Sequence, residues 1–241
     1  MKKYTAIISQ EAEEFIPLLK NEFDVLTVYP DELLQKPVQC HADMIISLVG
    51  NYAVLPESYV GEHNGFTKHL REKCGLEVIH SDGVRGAEYP FDISLNVLTC
   101  GRFAFSLVNY TSKRLADVLK SLNYTHVNVR QGYAACSTLS CDDFMITADP
   151  SVEKAARSVG IDVLKITEGH IRLDGYGTGF IGGASGVCGN KIYFLGNIML
   201  HPDGQKIREY VNTHGYDIVC LSNDELCDYG GIKFVKNVNK N

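Results

Sequence analysis

The sequence predicts an α/β fold made of five strand-helix-strand repeats that close into a ring. Three observations lead to this prediction: one segment contains a complete repeat, looser copies of it follow at similar spacing, and the two termini carry complementary halves of a further copy. A repeat of this length has to be identified before a fold is assigned, because one unit cannot bury its apolar face alone. The whole chain, 1–241, is therefore expected to be a single domain.

The complete repeat lies at residues 136–166. Its apolar run Phe144–Thr147 has the β-branched and aromatic content of a buried strand. Asp149 and Pro150 are expected to begin a helix, because Asp accepts hydrogen bonds from free first-turn N–H groups and Pro fits the first helical position. Gly160 ends that helix, and a second apolar run follows as the return strand.

The other copies follow in order along the chain. The repeats occupy residues 41–82, 90–130, 131–168 and 180–224, with 1–40 and 228–241 forming one more. Apolar runs predict further strands at 4–8, 23–28, 76–79, 103–107, 127–129, 192–195 and 218–221, and helical spacing predicts helices at 66–74, 111–122 and about 204–213, with Ser9 as a candidate helix cap. A hairpin turn recurs at Val49, Cys100, Cys141, Cys188 and Gly230.

The termini complete the set of repeats. The segment 230–235 has no helix after it, and the N-terminal unit has no strand before it. Pairing of the two terminal strands would close the ring and leave no open sheet edge between first and last repeats.

Composition excludes several classes of protein. A hydrophobic content of 45% is ample for a packed core, and a net charge of −6 without a basic cluster argues against a nucleic-acid partner. No apolar run is long enough for a membrane span, and acids stand near the N-terminus where a signal peptide would be apolar, so a cytoplasmic location is expected. The eight cysteines show no metal-binding spacing and are expected to be reduced. No metal or cofactor is predicted, and the oligomeric state stays open.

A glycine-rich segment, 177–186, contains G-x-G-x-x-G. A dinucleotide site needs a strand before this motif and a helix opening at its end, whereas the next predicted element here is a strand. We interpret these glycines as positions where the backbone turns tightly and approaches its neighbours.

The repeats resemble the pentein fold, the five-bladed α/β propeller of the guanidino-group-modifying enzymes. The motifs HADM (41–44), YPFDISLN (89–96), VRQGYAACS (129–137), GFIGGASG (179–186) and HPDG (201–204) also resemble a bacterial family of unknown function with this fold. The resemblance covers nearly the whole chain and implies architecture more than activity. It implies a guanidino-compound hydrolase or amidino-transfer site at the ring axis, with a cationic, guanidino-like ligand.

The resemblance also implies which residues would form the site. Catalysis in these enzymes uses a Cys thiolate, a His acid/base and carboxylates that hold the guanidinium. The inner positions just before each turn supply candidates: Cys136 and Cys227 as nucleophiles, and Asp43, Asp92, Asn96 and Asp228 for substrate binding. His170 follows Gly169 and resembles the Gly-His of the deiminase acid/base, and Arg130 ends a strand that faces the axis and is a further candidate for substrate binding. For Arg130 two interpretations stay open: it holds a substrate carboxylate, or it pairs with Asp92. For His41 two also stay open: it orients Asp43, or it is exposed at the turn.

One departure from the family pattern leaves the activity open. The hydrolases place their nucleophile after a glycine pair in the closing strand, where this chain has Val235. Cys136 and Cys227 are also compatible with buried structural thiols, and His170 with a hydrogen-bonded residue at a strand end. The alternative function is a non-catalytic ring that binds a partner, as in the translation initiation factor six family.

Overall fold

The computed structural model describes residues 2–61 and 64–238, in which strands and helices alternate. The strands are β1 (Tyr4–Ser9), β2 (Asp24–Val28), β3 (Ser47–Val49), β4 (Tyr52–Leu55), β5 (Glu77–His80), β6 (Leu98–Cys100), β7 (Phe103–Ser106), β8 (Thr125–Asn128), β9 (Thr138–Ser140), β10 (Phe144–Thr147), β11 (Asp162–Lys165), β12 (Ser185–Cys188), β13 (Lys191–Phe194), β14 (Asp217–Cys220) and β15 (Lys233–Lys236). The helices are α1 (Ile16–Glu22), α2 (Ala42–Ile45), α3 (Ser58–Gly61), α4 (Asn64–Glu72), α5 (Lys113–Ser121), α6 (Pro150–Ser158) and α7 (Gly204–Thr213).

The described strands form five three-stranded sheets, as the five repeats predict. In each sheet the middle strand pairs antiparallel with one neighbour and parallel with the other, for example β10 with β9 and β11. The sheet of the termini has the same order, β15-β1-β2, so the predicted pairing of the two terminal strands is confirmed. Strand β12 also lies against β15 and against β9 of the preceding repeat.

The hairpin register confirms four of the predicted turns and corrects the fifth. Val49 pairs with Tyr52, Cys100 with Phe103, and Cys188 with Lys191, each at the end of the first strand of its sheet. The N–H of Cys141, directly after β9, donates a hydrogen bond to the carbonyl of Phe144 and closes the fourth turn. In the terminal sheet the equivalent pair is Tyr4 with Lys236, so Lys236 holds this place and the prediction of Gly230 was wrong. The two terminal strands are not joined by a turn, so nothing requires a glycine there.

A local sequence signal explains the start of α6 but not that of α1. Asp149 caps α6 by accepting hydrogen bonds from the N–H groups of Ser151 and Val152, as predicted. Ser9 does not cap a helix, because α1 begins only at Ile16 with Pro17 in its first turn.

Apolar side chains from neighbouring repeats share the buried core. One cluster joins Phe105 of β7 to Met145 of β10 and to Val152 and Ala156 of α6. All eight cysteines are free thiols, and only Cys220 is exposed. Among residues 2–61 and 64–238, no helix has both the length and the apolar character needed to cross a membrane.

Candidate functional site

One position recurs in every repeat, eight residues before the last residue of the first strand in four sheets and, in the sheet that contains β9, eight residues before Cys141, the residue that follows β9. It is held by His41 (before 49), Asp92 (before 100), Tyr133 (before 141), Phe180 (before 188) and Asp228 (before 236). All of these except Asp92 line one cavity of about 150 Å³, together with Cys136 and Tyr176. We call it the acidic cavity. The repeat geometry thus gathers residues that are far apart in sequence.

Asp228 is the carboxylate that lines the acidic cavity, and its side chain is only 2% exposed. It accepts hydrogen bonds from the backbone N–H groups of Phe180 and Gly230, both at 2.9 Å. The Asp228 side chain fits because residue 183 is a glycine: a Cβ on Gly183 would lie 1.9 Å from the Asp228 Oδ1. Burial raises the pKa of Asp228 to about 6, although the two N–H groups oppose the shift.

Asp43 is a buried residue of α2 that does not itself line the acidic cavity. Neither of its carboxylate oxygens accepts a well-formed hydrogen bond from a described residue, although the thiol of Cys136 is close enough to interact with it. Burial raises the pKa of Asp43, and the nearby charges of His41 and Lys233 oppose this effect. A buried carboxylate without partners is unfavourable, so this group favours a positive charge nearby.

Cys136 is a buried thiol between polar groups of other repeats. The side-chain amide of Asn96 donates to its sulfur at 3.0 Å, and the sulfur of Met44 lies 3.7 Å away. Burial, followed by the charges of Asp43 and Asp228, raises the pKa of Cys136 well above its usual range. The protein without a ligand therefore holds Cys136 as a neutral thiol.

His41 lies between the two carboxylates. Its Nδ1 is 3.7 Å from Asp228 Oδ1 and 3.9 Å from Asp43 Oδ1. Gly230, with φ +76°, packs so closely that a Cβ would lie 2.4 Å from the Cα of His41. Burial lowers the pKa of His41 despite the opposing charge of Asp43, so the imidazole is neutral near pH 7.

A third carboxylate supports the aromatic wall of the cavity. Asp92 is buried and accepts a hydrogen bond from the Tyr133 hydroxyl at 2.6 Å. Its other oxygen has no partner among the described residues, and burial raises its pKa. Asp92 thus acts on the cavity through Tyr133, whose ring lies 6.4 Å from that of Phe180.

Three of the predicted site residues lie apart from this group. His170 is exposed, with φ +62°, and its ring lies 5.8 Å from that of His201. Cys227 faces a different cavity, where the guanidinium of Arg172 lies 3.5 Å from its sulfur. Arg130 is exposed and does not pair with Asp92. The structure thus brings together Asp43, Asn96, Cys136 and Asp228. Catalytic roles for His170 and Cys227, and a binding role for Arg130, stay predictions.

Tyr133 and Lys233 were not predicted from the sequence. Tyr133 was signalled by the eight-residue spacing, which already holds before four of the predicted turns and needs the corrected register only for Asp228. Lys233 approaches Asp43 and Cys136 from strand β15, and burial lowers its pKa against the attraction of those two groups. No sequence signal distinguished it from other lysines. Val235 is buried in an apolar cluster, where it contributes to core packing and has no group that could act as a nucleophile.

Residues 7–233 match the model of a family of unknown function, DUF6873. The chain belongs to this family. No curated protein matches the sequence. Among the described residues, no group of His, Cys, Asp and Glu side chains could hold a metal ion.

Solved structures with the same architecture belong to the pentein superfamily. A mutant of DDAH from Pseudomonas aeruginosa, complexed with citrulline, has a TM-score of 0.53 at 11% identity and covers 92% of each chain. The amidinotransferase SxtG from Microseira wollei has a TM-score of 0.56 at 10% identity, covering 92% of this chain and 89% of its own. An inosamine-phosphate amidinotransferase from Streptomyces griseus has a TM-score of 0.53 at 13% identity, covering 96% and 81%. These likenesses show that the DUF6873 chain has the pentein fold.

Proposed function

We propose that the acidic cavity binds a guanidino-type cation and that Cys136 attacks it, in hydrolysis or amidino transfer. The observation that carries the proposal is a buried thiol between two buried carboxylates, Asp43 and Asp228, at a cavity whose described lining contains no Lys or Arg. Neighbouring structures that hold citrulline or S-methyl-L-thiocitrulline support a small-molecule ligand of this type.

The cavity suits a planar cation for two reasons. Asp228 has carboxylate lone pairs beyond those used by Phe180 and Gly230, and a guanidinium presents N–H groups in a fork that matches a carboxylate. Tyr133 and Phe180 offer aromatic surfaces, which attract cations. A bound cation would also add to the compensation that Lys233 gives Asp43, whose oxygens accept no well-formed hydrogen bond from a described residue.

Binding would itself prepare the nucleophile. Burial and the two carboxylates keep Cys136 protonated, and a bound guanidinium opposes the effect of the carboxylates and lowers the thiol pKa. We assign the thiol proton to neutral His41, which lines the same cavity. The thiolate then forms a bond to the guanidinium carbon, and the carbon–nitrogen bond to the leaving amine breaks as His41 returns the proton. Water in hydrolysis, or an acceptor amine in transfer, then attacks the carbon and gives a proton to His41. The carbon–sulfur bond breaks, and His41 returns that proton to the sulfur, which restores the thiol.

The same proposal includes the architecture around the cavity. The five sheets and the pairing of the termini support a single closed five-bladed propeller over residues 1–241, with the acidic cavity near its axis. A non-catalytic ring of the initiation factor six type is not favoured, because its axis should be filled with apolar side chains. Here three buried carboxylates lie in or beside the cavity.

Calorimetry and product detection test the two parts of the proposal separately. Arginine, agmatine, methylated arginines and creatine-like compounds would be titrated into the protein and assayed for amine release. Cys136→Ala should abolish turnover and leave the Kd of the best ligand within about threefold, since the carboxylates remain. Cys220→Ala, at an exposed cysteine, is the matched control and should change neither. Turnover that survives in Cys136→Ala would refute its role as nucleophile, and absence of binding by every compound would refute the guanidino site.

A further inference from the structure

The geometry of the cavity mouth points to a ligand that has a guanidinium head, an apolar or aromatic tail and no carboxylate. This inference rests on the proposed function, because it concerns the same cavity. It goes further by distinguishing classes of guanidino compound.

Charge is the first argument. The titratable groups that line the cavity are Asp228, Cys136, His41, Tyr133 and Tyr176, and none of them carries a positive charge near pH 7. An amino-acid carboxylate attached to the guanidinium would therefore lie beside a negative cavity without a cationic partner in the described lining. Desolvating an unpaired carboxylate is strongly unfavourable.

The arginines around the site do not supply the missing charge. The charge of Arg85 reaches Asp92, but the Arg85 side chain is only 6% exposed, and its guanidinium pairs with Asp31 at 2.5 Å. Arg172 lies beside Cys227, at the separate cavity. Neither arginine lines the acidic cavity, and Lys233, which approaches Asp43 and Cys136 from strand β15, does not line it either.

The aromatic surface is the second, independent argument. The ring of Phe180 lies 6.4 Å from that of Tyr133, and the ring of Tyr133 lies 5.7 Å from that of Tyr89. Tyr89 is 51% exposed, so this row of rings runs from the cavity to the surface. Tyr176 also lines the cavity and is 45% exposed. A tail that leaves the cavity along these rings would bury apolar surface on both itself and the protein.

Three ligands that share one guanidinium separate the contributions of the tail. L-arginine carries a carboxylate and an ammonium, agmatine lacks the carboxylate, and n-pentylguanidine is agmatine with its ammonium replaced by methyl. Calorimetry at pH 8 should give agmatine and pentylguanidine Kd values at least tenfold below that of arginine, with pentylguanidine at least as tight as agmatine. Two results would overturn the inference and leave the guanidino site intact. The first is that arginine binds as tightly as agmatine, and the second is that agmatine binds tenfold more tightly than pentylguanidine. If none of the three bound, both the inference and the site would be refuted.

Two variants at exposed positions test the inference from the side of the protein. Tyr176→Arg adds a cation at the mouth and should shift the ratio of arginine to pentylguanidine affinity at least tenfold toward arginine. Tyr89→Ser should weaken pentylguanidine about fivefold or more and leave agmatine within twofold. Tyr110→Ser removes an exposed aromatic residue outside the cavity lining and should change neither ratio. Unchanged ratios in both test variants, with circular dichroism showing folded protein, would overturn the inference.

Discussion

Asp228→Asn should remove most of the pH dependence of cation binding. The pKa of Asp228 is raised to about 6 by burial, so the carboxyl is protonated below that pH and ionised above it. A guanidinium is attracted only by the ionised form, and the affinity should therefore fall as the pH falls through 6. At pH 5 about one molecule in ten has an ionised Asp228, which makes binding about tenfold weaker than at pH 8, or about 1.4 kcal/mol.

The assay is calorimetric titration of agmatine at pH 5, 6, 7 and 8. His41 and Asp43 titrate beside Asp228, and their protonation at low pH also disfavours a cation, so a residual change of about threefold is expected in Asp228→Asn. Asp82→Asn is the control, because the pKa of Asp82 is lowered and its charge does not change over this range. Wild-type affinity that is constant from pH 5 to 8, or an Asp228→Asn variant that keeps the tenfold change, would refute the reasoning.

Three further predictions concern the thiols and the scaffold. Iodoacetamide should alkylate buried Cys136 at least tenfold more slowly than exposed Cys220 near pH 7.5, as measured by peptide mass spectrometry. Equal alkylation rates at the two cysteines would contradict the raised pKa of Cys136. Arg85→Met should lower the free energy of unfolding, measured in urea, by about 3 kcal/mol, because it leaves the buried charge of Asp31 unpaired. The double variant Arg85→Met with Asp31→Leu should recover this loss. A loss below about 1 kcal/mol in the single variant would argue against a buried ion pair. Asp149→Ala should cost about 1 kcal/mol in the same assay through loss of the cap on α6, and an unchanged midpoint would contradict it.

The repeats could be predicted because each one carries its own local signals. Asp149 and Gly160 mark the ends of one helix, and the apolar runs mark the strands around it. The last turn position could not be predicted in the same way, because β1 and β15 are paired without a connecting turn. The glycines at 230 and 231 look like a turn in sequence. At Gly230 the structure instead requires a close approach to His41.

The site was predictable only where it follows the repeat. Asp43, Cys136 and Asp228 lie just before the turns, and the structure brings them together. Cys227 was grouped with Asp228 because the two are adjacent, but neighbouring side chains of an extended segment face opposite ways. Cys227 accordingly lines a different cavity. His170 was chosen by resemblance to a short Gly-His motif, which contains no information about distance from Cys136.

The most direct test of the guanidino site is a crystal structure of the protein with agmatine at pH 8. The account predicts the guanidinium in the acidic cavity, within hydrogen-bond distance of the Asp228 carboxylate and with its central carbon facing the sulfur of Cys136. Agmatine bound instead in the neighbouring cavity lined by Gln131 and Asp149, with the acidic cavity filled only by water, would contradict the account.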